Sequence, residues 1–357
     1  MKIGIFDPYL DTLSGGEKYM LSIALCLSSE HEVFIFWDKE KEAEIIKEAN
    51  RKLGINLQSV RFYKNIFAKN ISFLSRFIES RKFDAIIYLS DGSIPFVGTK
   101  LYIHFQFPIE WVNMKSFKVQ FKLSFIKKIF CNSNFTKHLV DKKLNVNSSV
   151  LYPPVNIHDL NIKKENIILH VGRFDMDKKK ESNYKKQDVM VSVFKRMIDQ
   201  GLKDWKFIII VGVKNEDKNK LNKLKIMAKS YPIGIIENPS NEVLWEYYLK
   251  AKIYWHASGY GENLDKNPEL AEHFGISTVE AMGSGAVAVV INAGGQKEIV
   301  ENNKSGFLWN SLEELMKKTV NLIKDPKLLE KMSKEAIKRS GIFSGSRFCN
   351  ELIDIIQ

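Results

Sequence analysis

Cysteine is scarce in this sequence, and long apolar runs are missing from it. The cysteines among its 357 residues are Cys26, Cys131 and Cys349, so widely separated that we predict neither a disulfide framework nor a zinc site. No apolar run approaches the ~20 residues that a membrane-spanning helix needs. The first residues also lack the long apolar region of a signal peptide. These absences favour a protein of the reducing cytosol.

Motifs for metal and nucleic-acid binding are missing as well. Asp175 and Asp177 form an Asp-x-Asp pair, but they lie in a lysine-rich polar stretch rather than after a buried strand. We therefore interpret 175–186 as a solvated loop and predict no metal site. The sequence Leu13-Ser14-Gly15-Gly16 is similar to an ABC ATPase signature, yet no Gly-x4-Gly-Lys-Ser/Thr loop accompanies it. We expect no nucleic-acid partner, because no binding motif for one is present.

The composition is that of a globular protein with a surplus of positive charge. Hydrophobic residues make up 45% and charged residues 27% of the chain, and its length suffices for two domains. The formal net charge of +12 indicates an acidic partner. Part of this charge is local, because residues 111–140 contain several lysines and no acidic residue.

The segment 115–128 is the centre of this basic stretch. Its lysines alternate with apolar residues at nearly helical spacing, which predicts a basic amphipathic helix: Lys115, Lys118, Lys122, Lys127 and Lys128 with Phe117, Phe121, Phe125 and Ile126. Such a helix suits peripheral contact with an anionic membrane. A solvated face over a packed apolar stripe explains the pattern equally well, so both interpretations stay open.

Short apolar runs alternate with amphipathic stretches along the whole chain. They occur at 3–6, 33–37, 85–89, 101–105 and 128–131, and again at 167–171, 207–211, 233–236, 253–256 and 286–291. This alternation predicts an α/β fold, with parallel sheets covered by helices on both faces. Two such series predict two Rossmann-like domains, at 1–155 and 165–342. The boundary lies near Pro153 and Pro154, which disfavour helix.

Ligands in open α/β sheets bind beyond the carboxyl ends of the strands, so we searched there for candidate residues. Gly15 and Gly16 follow the first strand, where glycine lets backbone approach a phosphate, although a plain tight turn needs them too. Gly172 and Arg173 end the first strand of the second series, and Lys185 precedes a helix. An arginine and a lysine together can neutralise a diphosphate.

Glu272 and Glu280 bracket the start of a short apolar helix. The segment between them begins His273-Phe274-Gly275-Ile276. A helix N-terminus presents N–H groups and a positive dipole end, which suit an oxygen-rich anionic ligand. Glu272 can accept from hydroxyls, and Glu280 can reach a second group on the same ligand. The pair alone is weak evidence, because most glutamates on helices are solvated.

His104 lies near the end of the apolar run 101–105. A lone histidine is more often a packed or surface residue than a catalyst. Its position at a strand end makes it a candidate in the company of the others.

In their order and spacing, these residues resemble the retaining glycosyltransferases of family 4, the glycosyl transferases group 1, which have the GT-B architecture. The matching positions span most of the chain: Gly15-Gly16, His104, Cys131–Thr136, Tyr152–Pro154, Gly172-Arg173, Lys185 and Glu272–Glu280. The resemblance implies two Rossmann-like domains with parallel sheets facing across a cleft. The first would bind the acceptor and the second the donor, with a C-terminal helix at about 343–357 packed back on the first.

The resemblance assigns the donor diphosphate to one group of residues. Arg173 and Lys185 would hold it beside Gly172. Gly15 and Gly16 would approach it through backbone. Enzymes of the family need neither metal nor cofactor, so a metal-independent hexosyltransferase is implied.

The same resemblance assigns the rest of the donor. Glu280 would accept from the ribose. Glu272 would bind sugar hydroxyls, and His104 would contact the transferred sugar. Backbone N–H groups would help Glu272, those of Phe274, Gly275 and Ile276. The implied catalytic residues are His104, Arg173, Lys185 and Glu272.

The Glu-His-Phe-Gly form at 272–275 is further similar to the mannosyltransferases that extend the dolichol-linked core. It implies a GDP- or UDP-linked donor, with mannose as the candidate sugar. The lysine-rich helix predicted over 115–128 suggests a polyprenyl-linked acceptor at the inner face of a membrane, with a glycan as the other candidate acceptor, in cell-surface glycan biosynthesis. Two alternatives stay open: a GT-B sugar-nucleotide epimerase, and a membrane-peripheral binding protein with an inactive transferase core.

Two features depart from the family pattern. The segment 259–270 is longer than the usual link from strand to glutamate, and it either caps the donor or is an exposed insertion. Lys186 stands where a glycine commonly follows the family's lysine, which leaves the assignment between Lys185 and Lys186 open.

Overall fold

The computed structural model describes residues 1–38, 42–109, 117–155, 162–174 and 183–357, and only the backbone of 117 and 118. The chain divides into two compact units. Unit 1 comprises Met1–Pro154 and Gly345–Gln357, and unit 2 comprises Val155–Ser344. The sequence predicts domains at 1–155 and 165–342, whose second domain begins ten residues after Val155 and ends two residues before Ser344.

Unit 1 contains a parallel sheet in the order β3-β2-β1-β4-β5-β6-β7. Its strands are β1 (Lys2–Phe6), β2 (Glu32–Phe36), β3 (Arg61–Tyr63), β4 (Ala85–Leu89), β5 (Lys100–Phe105), β6 (Ile126–Cys131) and β7 (Ser149–Val150). The helices between them are α1 (Gly15–Ser28), α2 (Glu42–Leu53), α3 (Phe73–Ser80), α4 (Phe117–Leu123) and α5 (Asn134–Leu144). Every residue of β4 is buried, as expected of a central parallel strand covered on both faces.

Unit 2 contains a second parallel sheet, in the order β10-β9-β8-β11-β12-β13. Its strands are β8 (Glu165–Phe174), β9 (Lys206–Val213), β10 (Ile233–Glu237), β11 (Ala251–His256), β12 (Val287–Ile291) and β13 (Gly306–Trp309). Its helices are α6 (Gln187–Asp199), α7 (Lys218–Ala228), α8 (Asn241–Lys250), α9 (Ile276–Gly283), α10 (Gln296–Ile299), α11 (Leu312–Lys324) and α12 (Pro326–Ser340). The predicted α/β class with two parallel sheets is confirmed.

The last helix, α13 (Gly345–Ile356), belongs to unit 1. Phe348 of α13 packs edge-on against Tyr19 of α1, with ring centroids 5.3 Å apart. The hydroxyl of Tyr102 donates to the carbonyl of Ile356 at 2.7 Å. Both ends of α13 are therefore fixed to the first sheet and its helices.

The expectation of no disulfide is wrong. Cys26 of α1 and Cys349 of α13 form a disulfide, with their Cα atoms 5.4 Å apart. They are 323 residues apart in the sequence, and the packing of α13 on α1 brings them together. Cys131 is a free, buried thiol.

The amphipathic helix predicted over 115–128 is confirmed in part and is wrong at its C-terminal end. Lys115 lies outside the described residues, and α4 covers only Phe117–Leu123. Lys127 and Lys128 lie in β6, which pairs in parallel with β5. Apolar residues at the start of this strand fall by chance at helical spacing from those of α4.

Candidate functional site

The candidate residues of unit 2 lie where its sheet changes direction. Strands β8 and β11 are neighbours, with Tyr254 opposite Leu169. The chain leaves β8 through α6 towards β9 on one side, and leaves β11 through α9 towards β12 on the other. The connections diverge at the carboxyl ends of the two strands, which leaves a crevice there. This is the usual ligand site of an open α/β sheet.

Glu272 is the centre of a compact polar group in this crevice. Its Oε2 atom accepts from Lys185 Nζ at 2.6 Å and is 2.7 Å from His256 Nε2. The side chains are largely enclosed, with 13% of Lys185, 16% of Glu272 and 1% of His256 exposed. Two of the predicted catalytic residues, Lys185 and Glu272, are thus in direct contact.

The electrostatics of this group fix its protonation. Burial would raise the pKa of Glu272, but the Lys185 ammonium and the His256 hydrogen bond outweigh burial and hold that pKa well below its usual range. Burial lowers the pKa of His256, so its ring is neutral near pH 7. An ionised carboxylate can only accept hydrogen bonds, so Nε2 of His256 carries the proton and donates it to Glu272 in their hydrogen bond.

The start of α9 is shaped by glycines. Gly275 precedes the helix with φ of 120°, where other residues are strained, and a Cβ there would lie 2.5 Å from Nε2 of Gln296. The N–H group of Gly295 donates to the carbonyl of Glu272 at 2.8 Å. The turn after β12 thereby fixes the backbone of Glu272 and Phe274, and the N–H groups of 274–276 lie at the positive end of α9.

Glu280 lies on α9 and is 6% exposed. It accepts from the hydroxyl of Tyr248 on α8 at 2.9 Å. One oxygen of Glu280 is therefore directed by a neighbouring helix. Tyr254 of β11 joins the carbonyl of Val171, at 3.2 Å, to the hydroxyl of Ser277, at 2.8 Å. This tyrosine ties the end of β8 to the first turn of α9.

Gly172 and Arg173 lie near the end of β8. A Cβ at Gly172 would lie 3.1 Å from Nε2 of His170 and 3.3 Å from Cγ of Lys185, so glycine leaves room for the lysine stem. The backbone carbonyl of Arg173 accepts from Gln187 of α6 at 3.1 Å, while its side chain is exposed. Arg173 therefore presents its guanidinium to solvent at the strand end.

Lys186 has a different partner from Lys185. Its Nζ atom lies 2.7 Å from Oε1 of Glu262, which belongs to the long segment 259–270. Its backbone has φ of 56°, the left-handed region that favours glycine, and this explains why a glycine is common at the position. Tyr184 also holds this segment, because its hydroxyl donates to the carbonyls of Glu269 at 2.8 Å and Ala271 at 2.7 Å.

The remaining predicted residues lie in unit 1. Gly15 and Gly16 form the first turn of α1, which Ser14 and Glu17 cap. A Cβ at Gly16 would collide with the side chain of Gln106, whose Nε2 donates to the Gly16 carbonyl at 2.9 Å. A side chain at 16 would therefore displace the end of Gln106, which is a packing reason for glycine there.

His104 is fully buried at the end of β5. It stacks on Tyr19 with centroids 4.2 Å apart, and its Nδ1 lies 3.1 Å from the carbonyl of Phe130. Burial lowers its pKa to about 3, so the ring is neutral. Contact with a sugar would require the residues around it to move, so its assigned role stays a prediction.

Sequence reasoning missed three residues of this site, His256, Tyr248 and Tyr254. His256 ends a predicted strand and His104 lies near the end of another, and that shared position was a usable signal. Tyr254 carried no such signal, because it lies inside the predicted apolar run 253–256, and nothing in the sequence around Tyr248 singled it out.

Within the described ranges, no three His, Cys, Asp or Glu side chains are grouped to hold a metal ion. Asp175 and Asp177 lie outside those ranges. None of the helices in the part of the chain that the structure describes is long and apolar enough to cross a bilayer.

Comparison with protein families and curated proteins gives consistent matches. A family model described as "Glycosyl transferases group 1" matches residues 155–339. The GDP-Man:Man(3)GlcNAc(2)-PP-Dol alpha-1,2-mannosyltransferase of Dictyostelium discoideum is 23% identical over 66% of this chain, which spans 48% of that protein. The alpha-1,3/1,6-mannosyltransferase ALG2 of the same organism is also 23% identical, over 100% of this chain and 98% of its own length.

Solved structures share the fold over the whole chain. Anabaena Alr3699/HepE in complex with UDP and glucose superposes with a TM-score of 0.70 and 17% identity, covering 100% of this chain and 99% of that one. A glycosyltransferase from Rickettsia africae gives 0.74 and 16% identity, covering 99% and 97%.

Proposed function

Because the chain belongs to the glycosyl transferases group 1, we propose that it transfers a mannosyl residue, with retention, from a nucleotide-linked donor to a lipid-linked glycan. The observation that carries the proposal is the contact of Lys185 and His256 with one oxygen of Glu272, at 2.6 and 2.7 Å, beside the start of α9. Relatives named as GDP-Man mannosyltransferases favour GDP-mannose as the donor.

The donor diphosphate is assigned to Arg173 and Lys185. The exposed guanidinium of Arg173 offers a planar fork for two phosphate oxygens. The ammonium of Lys185 has three donors, so it can keep Glu272 and still bind a phosphate. Positive charge from these side chains and from the start of α9 stabilises the diphosphate most as it leaves.

The sugar and the ribose are assigned to the two glutamates. Glu272 is ionised and accepts from sugar hydroxyls. Glu280, oriented by Tyr248, accepts from the ribose hydroxyls. Acceptors placed to discriminate hydroxyl positions give strong selectivity, because a missing or inverted hydroxyl loses its hydrogen bond to a buried carboxylate.

In the transfer step, the bond from the sugar C1 to the phosphate oxygen breaks and a bond from C1 to the acceptor oxygen forms. The acceptor proton passes to the leaving phosphate oxygen, on the same face of the sugar, so the configuration is retained. No carboxylate acts as nucleophile in this scheme. Glu272 accepts hydrogen bonds from Lys185 and His256, and its role is to bind the hydroxyls of the sugar.

The lipid-linked acceptor is supported by the names of the relatives. We further propose that the 115–128 region contacts an anionic membrane. Lys115 lies outside the described residues, whereas Lys122 of α4 donates to the carbonyl of Ile94 at 2.7 Å. Gly15, Gly16 and His104 in unit 1 are retained as proposed donor contacts.

A binding and product assay tests this function. The unfolding temperature of the full chain is measured with GDP, UDP, GDP-mannose or UDP-glucose. The nucleotide sugars that raise this temperature are then incubated with the folded protein, and the mixture is analysed for released sugar and for epimerised donor. We expect GDP-mannose to raise the unfolding temperature and to yield free mannose slowly. Epimerised donor would indicate the epimerase instead, and no shift with any nucleotide sugar would favour an inactive core.

A matched pair of arginine variants sharpens the test. Arg173→Ala should weaken donor binding roughly tenfold to a hundredfold, the loss expected for charge-assisted hydrogen bonds. Arg196→Ala removes an exposed arginine of α6 that pairs with Glu313, and it should leave binding unchanged. Equal binding by both variants would contradict the assignment.

A further inference from the structure

A group of aromatic and aliphatic side chains is exposed on unit 1. Phe96 lies at its centre, with ring centroids 5.4 Å from Phe73, 5.7 Å from Phe77, 6.3 Å from Phe121 and 5.1 Å from Phe125. The helices α3 and α4 thus meet over the loop before β5. We call this surface the Phe96 patch: Phe73, Leu74, Phe77, Ile78, Phe96, Phe121 and Phe125.

Most of these side chains face solvent. The exposed fractions are 58% for Phe73, 64% for Leu74, 54% for Ile78, 49% for Phe121 and 52% for Phe125. Leu74 and Ile78 are one helical turn apart, so they form an apolar stripe beside the one that packs on Phe96. Isolated exposed apolar residues are ordinary, but a contiguous group marks an interaction surface.

Basic side chains predominate around the patch. Arg81, which ends α3, is exposed and its stem approaches Gly98, two residues beyond Phe96. Lys127 is exposed two residues after Phe125. In the sequence, residues 117–140 contain no acidic residue, and 64–82 contain only Glu79, which lies 2.9 Å from Lys82.

We propose that the Phe96 patch docks unit 1 on the surface of an anionic lipid bilayer. Aromatic rings half buried at their bases suit the headgroup boundary, where an apolar body and a wet surrounding meet. Lysine and arginine beside them are attracted by anionic lipids. A second copy of the same patch would instead place like charges face to face.

The surface is two helices wide, and α3 contributes its most exposed apolar residues. The membrane contact proposed for 115–128 is therefore only one part of it. The proposal rests on the proposed function for its purpose alone, which is to bring the enzyme to an acceptor embedded in lipid. Its test uses vesicles without any sugar.

Vesicle binding tests the patch directly. The full chain is sedimented with vesicles of phosphatidylcholine alone, and separately with vesicles of phosphatidylcholine and phosphatidylglycerol in equal parts. We expect binding to the anionic vesicles that weakens with salt. The double variant Phe121→Ser, Phe125→Ser should bind about tenfold less tightly or worse, because it removes apolar surface that enters the headgroup layer.

Matched variants exclude general effects. Ile226→Ser removes a side chain of unit 2 that is 73% exposed, and it should bind as the unchanged protein does. Arg81→Ala with Lys127→Ala should weaken binding roughly thirtyfold, because each of the two charges contributes ~1 kcal/mol. Lys214 and Lys218 are exposed on unit 2, and replacing both with alanine should leave vesicle binding unchanged.

Three outcomes would overturn the proposal. If the patch variants bind anionic vesicles as tightly as Ile226→Ser does, the patch is not the membrane contact. Failure of the unchanged chain to bind anionic vesicles would exclude the membrane. Concentration-dependent dimers that the phenylalanine variant abolishes would identify a second copy as the occupant.

The thermal shift with nucleotide sugars separates this proposal from the function itself. It should be the same in the patch variants, which also shows that they fold. A second variant, Leu74→Ser with Ile78→Ser, removes the outer stripe of the patch and leaves the ring contacts intact. It tests the same proposal if the phenylalanine variant fails to fold, and it should also bind anionic vesicles less tightly.

Discussion

The Nε2 atom of His256 lies 2.7 Å from Oε2 of Glu272, and the imidazole is buried. Lys185 reaches the same oxygen from α6's N-terminal side at 2.6 Å. One carboxylate oxygen is thus fixed by groups from two directions. The other oxygen of Glu272 can then accept a hydrogen bond from a hydroxyl of the sugar.

His256 should position Glu272 without touching the donor nucleotide. We expect His256→Leu to lower kcat/KM for the nucleotide sugar roughly tenfold to a hundredfold, because Glu272 loses a hydrogen bond that holds it. The dissociation constant for the nucleoside diphosphate alone should change little. Steady-state kinetics and calorimetry measure the two quantities.

His256→Gln is the matched control, because an amide donor near the former Nε2 position can still reach Glu272. It should recover part of the lost activity. Equal losses in sugar transfer and in nucleotide binding, with no recovery in the glutamine variant, would assign His256 a purely structural role.

Lys185 and Lys186 should separate cleanly in a binding experiment. Lys185 contacts Glu272, whereas Lys186 pairs with Glu262 of the 259–270 segment. Lys185→Ala should weaken donor binding at least about tenfold, through the lost charge on the diphosphate. Lys186→Gly should bind nearly as the unchanged protein, because glycine accepts the φ of 56°.

The result also bears on the 259–270 segment. Protease cleavage there should become faster in Lys186→Gly, because one of its ties is lost. Stronger loss of donor binding in Lys186→Gly than in Lys185→Ala would reverse the assignment.

The members of the site could be named from sequence more readily than their contacts. Glu272, Lys185 and Arg173 follow from strand ends and a family pattern, because chemistry restricts the residue type. The bond between Lys185 and Glu272 depends on the path of two loops, 87 residues apart in the chain, which no local pattern encodes. His256 could have been named from its position at a strand end, whereas Tyr248 lies within α8 and has no such signal.

Acid should destabilise unit 1 through His104. Its pKa falls from 6.5 to about 3 on burial, so the unfolded chain binds a proton that the folded chain refuses between these values. Stability is therefore full above pH 6.5 and is lost as the pH falls towards 3. At pH 5 this histidine accounts for about 2 kcal/mol of that loss.

His104→Phe should flatten this dependence, because phenylalanine keeps the stack on Tyr19 and binds no proton. Thermal denaturation between pH 7 and 5 measures the difference. His138→Gln, at an exposed position of α5, is the control and should keep the original slope. Parallel curves for His104→Phe and the unchanged protein would refute the prediction.

The disulfide should stabilise unit 1. We expect Cys349→Ser to lower its free energy of unfolding by about 2–4 kcal/mol, because the cross-link restricts the unfolded chain. Thiol titration of the denatured, non-reduced protein should detect Cys131 alone, and prior reduction should expose the other two. Full thiol reactivity before reduction would show that the bond is not formed.

The fold was predictable where a strand is long and apolar. β4 and β12 match their predicted runs to within a residue, because β-branched and aliphatic residues continue through them. β3, β7 and β13 were missed, since a strand of two to four residues has no measurable period. The Cys26–Cys349 bond needed knowledge of where α13 returns, and nothing near either cysteine contains it.

Unit 1 is built from two stretches of chain with all of unit 2 between them. During synthesis, the ribosome makes residues 155–344 before it makes α13, a delay of roughly 10–40 s at ~5–20 residues per second. Throughout that time α1 lacks Phe348 against Tyr19 and has no partner for Cys26. Unit 2 can finish folding first, and the nascent first unit is the part of the chain that a chaperone would need to hold. The Cys26–Cys349 disulfide can therefore form only after α13 has been made.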